Sequence, residues 1–497
     1  MNTMPDPAPQ KKVSGATSAL KQSLYAKYVR VYPKAVQGPA RRVKWAILIA
    51  CLAIYYILPW LRWNRGPGRP NQAILLDIVG RRFYFFDVEL WPQDIYLLTG
   101  ALIVAAVSLF LVTSLFGRLW CGYTCPQTVW TDLFMLVERR IQGDRAERMK
   151  RDAGPRNLDF WWRKSATHLA WLGIAFWTGG AWIMYYTDAP TVVVDFWTGR
   201  APLAVYGFTL LFTATTYLLA GWAREQVCTY MCPWPRFQSA MLDEQTLVVT
   251  YEGWRGEPRS RHVKRDHDDG KPVGDCVDCG ACVAVCPTGI DIRDGLQMSC
   301  ISCGLCVDAC NPVMERLHRP RDLITWDTFA GQTAKAAGKP VRMRLIRPRT
   351  LIYGGALTVA LLAIGIAFFT RSALELAVEH DRAPLFVKLP DGSVRNGFTL
   401  RIVNKTPTEG RFALSVSGLP GATVKVAEAA DTAQAGAAIA LPVPADDVAV
   451  FRVLVAAPVP PGGRSDLMFT LRNLDTGVTA TRNAAFLAVA GAEGEVR

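Results

Sequence analysis

Histidine is scarce in this sequence, and cysteine is confined to its first two thirds. Only 5 of the 497 residues are histidines, and His168 alone falls in a stretch apolar enough to cross a membrane. A haem held between two membrane histidines needs a pair of them, so the composition argues against a membrane cytochrome b. No cysteine follows Cys310, so the remaining C-terminal part has neither disulfides nor a cysteine-based metal site.

Acidic residues are outnumbered by basic ones, and the imbalance is uneven along the chain. The formal net charge is +14, whereas basic and acidic side chains balance over residues 371–497. The whole excess therefore lies in residues 1–370. Lys and Arg that flank apolar segments set membrane topology and attract anionic lipid headgroups. We interpret the charge as membrane-related and expect no nucleic-acid partner.

Long apolar runs are what the first part of the chain does have. We predict five membrane helices, at residues 45–61, 95–116, 165–186, 201–222 and 351–370. Each run is long enough to cross about 30 Å of hydrocarbon, and Trp and Tyr gather at their ends as in an interfacial belt. Lys and Arg are concentrated before the first run and between the second and third. This bias places the N-terminus in the cytoplasm, and an odd number of crossings places the chain after residue 370 outside.

Eight cysteines in the middle of the chain follow the spacing of bacterial ferredoxins. They are Cys276, Cys279, Cys282 and Cys286, followed by Pro287, and then Cys300, Cys303, Cys306 and Cys310. Three cysteines at such steps meet three corners of one cubane, and the fourth reaches the other cluster. The spacing predicts two [4Fe–4S] clusters, one on Cys276, Cys279, Cys282 and Cys310, and one on Cys300, Cys303, Cys306 and Cys286. A pair of zinc sites is the alternative, but zinc sites rarely repeat the C-x3-C step with proline.

A second cysteine motif, C-x-Y-x-C-P, occurs after the second and the fourth apolar run. Its cysteines are Cys121 with Cys125, and Cys228 with Cys232. Residues four apart share a face of a helix, so each pair can offer two sulfurs to one ion. We predict that these four cysteines form a catalytic metal site, and soft sulfur ligands suit Cu(I). Zinc, a further iron–sulfur cluster, or simple packing at a helix end are the alternatives. Cys51, inside the first run, is interpreted as a packing residue.

The C-terminal part alternates apolar and polar residues. Such runs begin at Phe398, Phe412 and Leu467 and are separated by turn residues such as Asp475-Thr-Gly477. Alternation with period two, broken by turns, predicts a β-sandwich of immunoglobulin-like size. Without cysteine or clustered histidines and carboxylates, this part is expected to dock or scaffold.

Several motifs together resemble the accessory proteins of cbb₃-type cytochrome oxidase, a family called CcoG, FixG or RdxA. The motifs lie at residues 31–34, 82–86, 91–94, 120–127, 236–241 and 289–295. Pro235 departs from the expected pattern and affects no ligand. The resemblance implies five membrane helices in the bacterial inner membrane, an outer immunoglobulin-like domain, and reduction of Cu(II) to Cu(I) for oxidase assembly. It implies as partners copper ions and the cbb₃-type oxidase or its copper assembly factors, with the electron donor unknown.

The fold class expected is therefore mixed, and the chain divides into five parts. They are a cytoplasmic basic leader (1–44), a membrane domain with four helices and both C-x3-C-P motifs (45–250), a cytoplasmic two-cluster ferredoxin-like segment (251–350), the fifth membrane helix (351–370) and a periplasmic immunoglobulin-like domain (371–497). Three functions fit this organisation. The leading one is a membrane cupric reductase. The others are a polyferredoxin subunit that relays electrons between quinol and a partner reductase, and a non-redox assembly scaffold or copper carrier.

Overall fold

The structure is a computed structural model that describes residues 30–66, 68–341, 344–372, 374–406, 409–427, 432–434, 438–460 and 462–488. Residues 1–29 of the predicted leader and the last nine residues of the predicted C-terminal domain lie outside the described residues. The chain forms two compact units, Met1–Ile364 and Gly365–Arg497.

The first unit is built mainly from helices. In chain order the α-helices are α1 (Pro39–Ile57), α2 (Ile95–Phe116), α3 (Leu119–Tyr123), α4 (Pro126–Gln142), α5 (Arg145–Ala153), α6 (Leu158–Ile183), α7 (Ala189–Thr198), α8 (Leu203–Thr216), α9 (Trp234–Met241), α10 (Gly253–Gly256), α11 (Val263–Asp268), α12 (Ala281–Val285), α13 (Leu305–Arg316), α14 (Phe329–Ala336) and α15 (Pro348–Phe369). Short 3-10 turns occupy Leu58–Trp60, Pro92–Asp94 and Ile292–Asp294. Two π-helical segments, Tyr217–Ala223 and Val227–Met231, follow α8.

Four helices in the described residues are long and apolar enough to cross a membrane. They are Pro39–Trp60, Pro92–Phe116, Leu203–Ala223 and Pro348–Phe369, and they correspond to four of the five predicted runs. The remaining run, residues 165–186, lies largely in α6 but does not reach the hydropathy of the other four. Its sequence contains His168 and several Trp, Thr and Gly residues, which lower its hydropathy. A membrane crossing by α6 therefore stays a prediction.

The first membrane helix begins at Pro39, six residues before the predicted start of its apolar run. Proline suits the first helical position because its fixed φ is already helical. The carboxylate of Asp308, on α13, accepts the backbone N–H groups of Ala40 (3.2 Å) and Arg41 (2.7 Å). A negative charge at a helix N-terminus satisfies free N–H groups and the helix dipole. A residue of the ferredoxin segment thus caps α1.

Replacing Asp308 with alanine should loosen the start of α1. Removing a carboxylate cap costs about 1 kcal/mol, so the amides of Ala40 and Arg41 should exchange hydrogen faster, as measured by exchange and mass spectrometry. The replacement Glu315→Ala, on an exposed position of the same helix, is the control. Equal exchange in the two variants would show that Asp308 does not hold α1.

The helices of the membrane domain pack through small and aromatic residues. Gly179 on α6 lies so close to α8 that an added Cβ would be 2.8 Å from the carbonyl oxygen of Thr209. Phe134 on α4 stacks on Trp171 of α6, with 5.5 Å between ring centroids. The indole N–H of Trp171 donates to the carbonyl oxygen of Phe134 (3.0 Å). These contacts fix α4, α6 and α8 as one packed group.

Two small antiparallel sheets complete the first unit. The first has the strands β1 (Ile74–Asp77), β2 (Arg82–Phe85) and β3 (Val88–Leu90), and the second has β4 (Val248–Tyr251) and β5 (Ile324–Asp327). β4 precedes and β5 follows the eight ferredoxin cysteines in sequence. Their pairing therefore brings the two ends of the ferredoxin segment together.

The second unit is a sandwich of two antiparallel sheets. Its strands are β6 (Leu374–His380), β7 (Val387–Lys388), β8 (Val394–Asn404), β9 (Gly410–Ser417), β10 (Thr423–Val426), β11 (Thr432–Gln434), β12 (Ile439–Val443), β13 (Asp447–Ala457), β14 (Arg464–Asn473) and β15 (Thr479–Leu487). One sheet has the order β11-β10-β13-β8-β6 with β7 paired to β8, and the other has β12-β9-β14-β15. Phe398, Phe412 and Leu467, which begin the three predicted runs, are all buried in one core. The alternation therefore predicted this domain correctly.

Candidate functional site

The two ferredoxin loops have matching backbone conformations. In the first loop Asp278 and Gly280 have positive φ (46° and 66°), and in the second Ser302 and Gly304 do (50° and 72°). These residues stand two and four positions after the first cysteine of each run. The turns bring backbone amides toward the sulfurs, and the N–H of Ser302 donates to Sγ of Cys300 (3.4 Å). Each loop then enters a short helix, α12 or α13, which begins directly after its glycine.

The fourth cysteine of each run faces the first three cysteines of the other run. Burial, followed by the charges of Cys282, Cys279 and Cys276, raises the pKa of the Cys310 thiol to about 12. Burial, followed by the charges of Cys303, Cys300, Cys286 and Cys282, raises the pKa of Cys306 well above its usual value. The first group matches one predicted ligand set, and the second contains the other predicted set together with Cys282. That the fourth cysteine of each run ligates the other cluster stays a prediction. The thiols are placed as this prediction requires.

The chemistry of these donors fits iron–sulfur clusters better than single ions. Most of the eight thiols are buried or half-buried, and only Cys279 is exposed. Within the part of the chain that the structure describes, no three His, Cys, Asp or Glu side chains lie close enough to bind one metal ion. A cubane cluster holds its four sulfurs at separate corners and so accepts wider spacing than zinc does. The donor set, eight thiols in two runs of four, fits two cubane clusters.

Loss of iron should unfold the ferredoxin segment and spare the C-terminal sandwich. Cys276, Cys282, Cys300 and Cys310 are themselves part of a buried core, and buried ligand thiols couple metal binding to folding. After treatment with an iron chelator, amide hydrogen exchange over residues 276–316 should rise strongly, while exchange in β8 and β14 should not change. Retained protection of residues 276–316 would contradict this prediction.

The two C-x3-C-P motifs differ from our expectation in their local structure. Cys121 lies in α3, but Cys125 is extended and stands just before α4. Cys228 lies in the π-helical segment Val227–Met231, and Cys232 is extended after it. The prediction that both cysteines of a pair share one helix face was therefore wrong. The cause is the following proline, which disfavours helical conformation in the residue before it.

Tertiary packing nevertheless brings the two motifs together. Burial raises the pKa of Cys121 to about 12, and the charges of Cys125 and Cys228 contribute to the rise. Burial also raises the pKa of Cys228 to about 11, with contributions from Cys125 and Cys232. The thiols of Cys121, Cys125 and Cys228 thus lie within electrostatic range of one another. Cys232 is the exposed member of the group.

The first motif packs directly against the second ferredoxin loop. The hydroxyl of Tyr123 donates to the carbonyl oxygen of Cys303 (3.1 Å). A Cβ on Gly122 would lie 2.6 Å from the carbonyl oxygen of Ile301 and 3.1 Å from Cα of Cys303. Cys121 itself packs against the buried cluster that contains Ile301 and Cys303. Sequence reasoning missed the roles of Gly122 and Tyr123, although the motif they belong to was visible.

Arg118 also connects the first C-x3-C-P motif with the second ferredoxin loop. Its guanidinium donates to the carbonyl oxygens of Cys300 (3.3 Å), Pro235 (2.7 Å) and Met298. One side chain therefore links the first motif to the ferredoxin loop and to the segment after the second motif.

Two basic residues that the sequence suggested as topology signals are buried beside the cysteines. Arg41 binds the carboxylate of Asp132 through two hydrogen bonds of 2.7 and 3.0 Å. Lys44 is only 2% exposed, and its ammonium lies 3.7 Å from the same carboxylate. Burial raises the pKa of both Cys303 and Cys228, and the charge of Lys44 opposes that rise. A buried cation between the two cysteine systems favours the negative charge that thiolates and their metal centres carry.

Helices of membrane length, paired ferredoxin loops and a separate β-sandwich define a membrane iron–sulfur protein. Comparison with protein-family models agrees with that class. Residues 223–329 match a 4Fe-4S dicluster domain, residues 98–143 match a 4Fe-4S binding domain, and residues 364–489 match the IG-like fold at the C-terminus of FixG. The chain belongs to the FixG family, as the resemblance of its motifs suggested.

Relatives match this chain over most of its length. It is 47% identical over 461 residues to nitrogen fixation protein FixG of Rhizobium meliloti, covering 88% of each chain. It is 44% identical to protein RdxB of Cereibacter sphaeroides, covering 93% of this chain and 97% of the relative. It is 42% identical to protein RdxA of the same organism, covering 88% and 92%. A crystal structure of a FixG-related protein from Vibrio parahaemolyticus matches 24% of this chain at 20% identity, with a TM-score of 0.20.

Proposed function

We propose that this protein is a cupric reductase of the bacterial inner membrane. In this proposal two [4Fe–4S] clusters pass electrons to Cu(II) at Cys121, Cys125, Cys228 and Cys232, and the Cu(I) product serves assembly of a cbb₃-type oxidase. The observation that carries the proposal is the contact of Gly122 and Tyr123 with the backbone of Cys303. That contact sets the first cysteine pair against the loop that would hold the second cluster.

The ferredoxin segment supplies a route for single electrons. Cys276, Cys279, Cys282 and Cys310 would hold the first cluster, and Cys300, Cys303, Cys306 and Cys286 the second. Protein-bound clusters of this kind are one-electron carriers with potentials that the protein tunes over roughly −700 to +450 mV. Cys279, in the first set, is exposed, whereas Cys303, in the second set, is buried in the cluster against which Cys121 packs.

The four C-x3-C-P cysteines are suited to receive copper as a substrate. Cys232 and its neighbour Met231 are exposed, so an incoming ion meets sulfur first at the surface. Cys121 and Cys228 lie deeper, and their raised pKa values keep both thiols protonated until a metal displaces the proton. Soft sulfur ligands favour Cu(I) over Cu(II), so the site itself favours reduction.

The membrane orientation belongs to the same proposal. With α6 as a fifth crossing, the basic leader, both cysteine motifs and the ferredoxin segment lie in the cytoplasm, and the β-sandwich lies in the periplasm. The concentration of Lys and Arg before α1 and between α2 and α6 supports this orientation.

The test is to follow both reactants in one experiment. The protein is purified in detergent without oxygen, its clusters are reduced chemically, and Cu(II) is added while iron–sulfur absorbance and a Cu(I)-specific chelator are monitored. We expect one Cu(I) for each cluster that is re-oxidised, and an iron content that matches two clusters. Clusters that stay reduced in the presence of Cu(II) would refute the reductase. An iron content that matches three clusters would assign the C-x3-C-P cysteines to iron instead.

A further inference from the structure

A polar cavity of about 240 Å³ lies among α4, α6 and the π-helical segment Tyr217–Ala223. The side chains that line it include Arg30, Gln142, Lys164, His168, Trp222 and Glu225. It lies at the end of the membrane-length helix Leu203–Ala223, with Gly221 and Trp222 in its wall. Glu225 is only three residues before Cys228, and its charge acts on that thiol. The cavity therefore adjoins the C-x3-C-P cysteines.

The basic side chains in the wall of the cavity already hold carboxylates. Lys164 and Arg30 both bind Asp152, at 2.8 and 3.0 Å. Arg224 binds Glu138 at 2.8 Å. Arg148 binds the same carboxylate at 2.8 Å, so all of these basic side chains are held in ion pairs.

The polar groups of the cavity wall that still have bonding capacity are hydrogen-bond acceptors. Gln142 is 2% exposed, and its amide nitrogen donates to the hydroxyl of Thr167 (2.8 Å), but its Oε1 atom has no hydrogen-bond partner among the described residues. The carboxylate of Glu225 accepts from the side-chain amide of Gln226 at 3.4 Å and from its own backbone N–H, which leaves acceptor capacity on its two oxygens. His168 bonds the hydroxyl of Tyr217 through Nδ1 (3.0 Å), and in the tautomer in which Nδ1 donates that bond, Nε2 is an acceptor. A buried acceptor without a donor is costly, so a ligand with hydroxyl groups fits this wall.

Aromatic rings form one flat wall of the cavity. Trp222 stacks on the imidazole of His168, with 5.8 Å between centroids and 27° between planes. Trp222 is also 62% exposed, at the end of a helix that is long and apolar enough to cross the membrane. We propose that the cavity binds membrane quinol, a lipid-soluble ring with two hydroxyl donors, and that quinol is the electron donor of this protein. This inference rests on the proposed function for the fate of the electrons, but not for the binding itself.

The chemistry balances with the parts already described. A quinol that becomes a quinone releases two electrons and two protons. The protons pass to the carboxylate of Glu225 and to Nε2 of His168, and each of the two clusters takes one electron. Since Cu(II) accepts one electron at a time, a two-electron donor requires such one-electron carriers beside it. The cavity adjoins Cys228, and Cys121 packs against Cys303 of the second ferredoxin loop, so we expect quinol electrons to enter at the second cluster.

The test uses the cluster-loaded protein in detergent without oxygen. Decylubiquinone binding is measured by calorimetry, and cluster reduction by decylubiquinol is followed by absorbance. The replacement Glu225→Gln should slow quinol-dependent cluster reduction about 100-fold, the scale of losing a proton acceptor, and leave reduction by dithionite unchanged. Trp222→Ala should weaken decylubiquinone binding. Glu315→Gln, on an exposed carboxylate far along the chain, is the matched control and should change neither.

Each outcome decides the inference. No decylubiquinone binding, binding that neither variant affects, or displacement of decylubiquinone by phosphatidylglycerol would overturn it, the last by identifying the cavity as a lipid site. A different result would refute the proposed function: dithionite-reduced clusters would fail to reduce Cu(II), although decylubiquinone still binds. If dithionite-reduced clusters do reduce Cu(II) while decylubiquinol neither binds nor reduces them, only the quinol inference falls.

Discussion

Replacing Cys121 or Cys228 with serine should abolish the reduction of Cu(II) and leave the iron–sulfur absorbance unchanged. Serine keeps the size of cysteine but replaces a soft sulfur with a hard oxygen, which binds Cu(I) poorly. The loss should exceed the roughly 100-fold cost of removing a mere outer-shell partner of a metal. The measurement is the rate at which chelated Cu(I) appears after Cu(II) is added to dithionite-reduced protein.

The matched control for these variants is Cys51→Ser. Cys51 lies in α1 and belongs to neither cysteine motif, so its replacement should leave both cluster absorbance and Cu(I) production as they are. If Cys121→Ser also lost the clusters, the first motif would be part of cluster assembly and not of a separate copper site. That result would contradict the assignment of Cys121 to copper.

Replacing Gly122 with alanine should slow the transfer of electrons between the ferredoxin segment and the C-x3-C-P cysteines. The new Cβ would lie 2.6 Å from the carbonyl oxygen of Ile301, which is backbone and cannot rotate away. The first motif and the second ferredoxin loop must therefore move apart, at a cost of about 1–3 kcal/mol in packing. Because catalytic geometry is sensitive to shifts of this size, re-oxidation of the clusters by Cu(II) should slow by roughly tenfold or more.

Gly173 on α6 provides the comparison for this variant. An added Cβ there meets nothing within 4 Å, so Gly173→Ala changes the same residue type without a collision. Stopped-flow absorbance after mixing with Cu(II) measures both variants, and the cluster spectrum confirms that each is loaded. Equal rates in Gly122→Ala and Gly173→Ala would mean that the contact between Gly122 and the Ile301–Cys303 backbone does not matter for electron transfer.

The buried basic residues near the cysteines have a structural role in addition to the topological role that their position in the sequence suggests. Arg41 and Lys44 precede the first apolar run, where basic residues are usual as topology signals. In the folded chain both bind Asp132 and are almost completely buried. Removing one partner of a buried ion pair typically costs about 3–5 kcal/mol, so loss of Arg41 or Lys44 should destabilise the junction of α1 and α4.

Much of this protein follows from the sequence because its strongest signals are local. The ferredoxin cysteines repeat within a few residues, and the matching turns at Asp278 and Ser302 follow the same short spacing. The alternation in β8, β9 and β14 needs only neighbouring residues to show which face is buried. Four of the five predicted membrane runs needed only length and composition, and family membership needed only the motifs.

Tertiary structure decided everything that depends on residues far apart in the chain. Asp308 caps α1 across 268 positions, and Tyr123 reaches Cys303 across 180. Lys44 and Asp132 become buried partners, and Gln142, whose side-chain oxygen has no partner among the described residues, comes to line a cavity. None of these contacts leaves a periodic pattern, because each is made by single side chains that only the packing of helices and loops brings together. The sequence alone therefore predicts which groups carry the electrons, and the fold determines which of them touch.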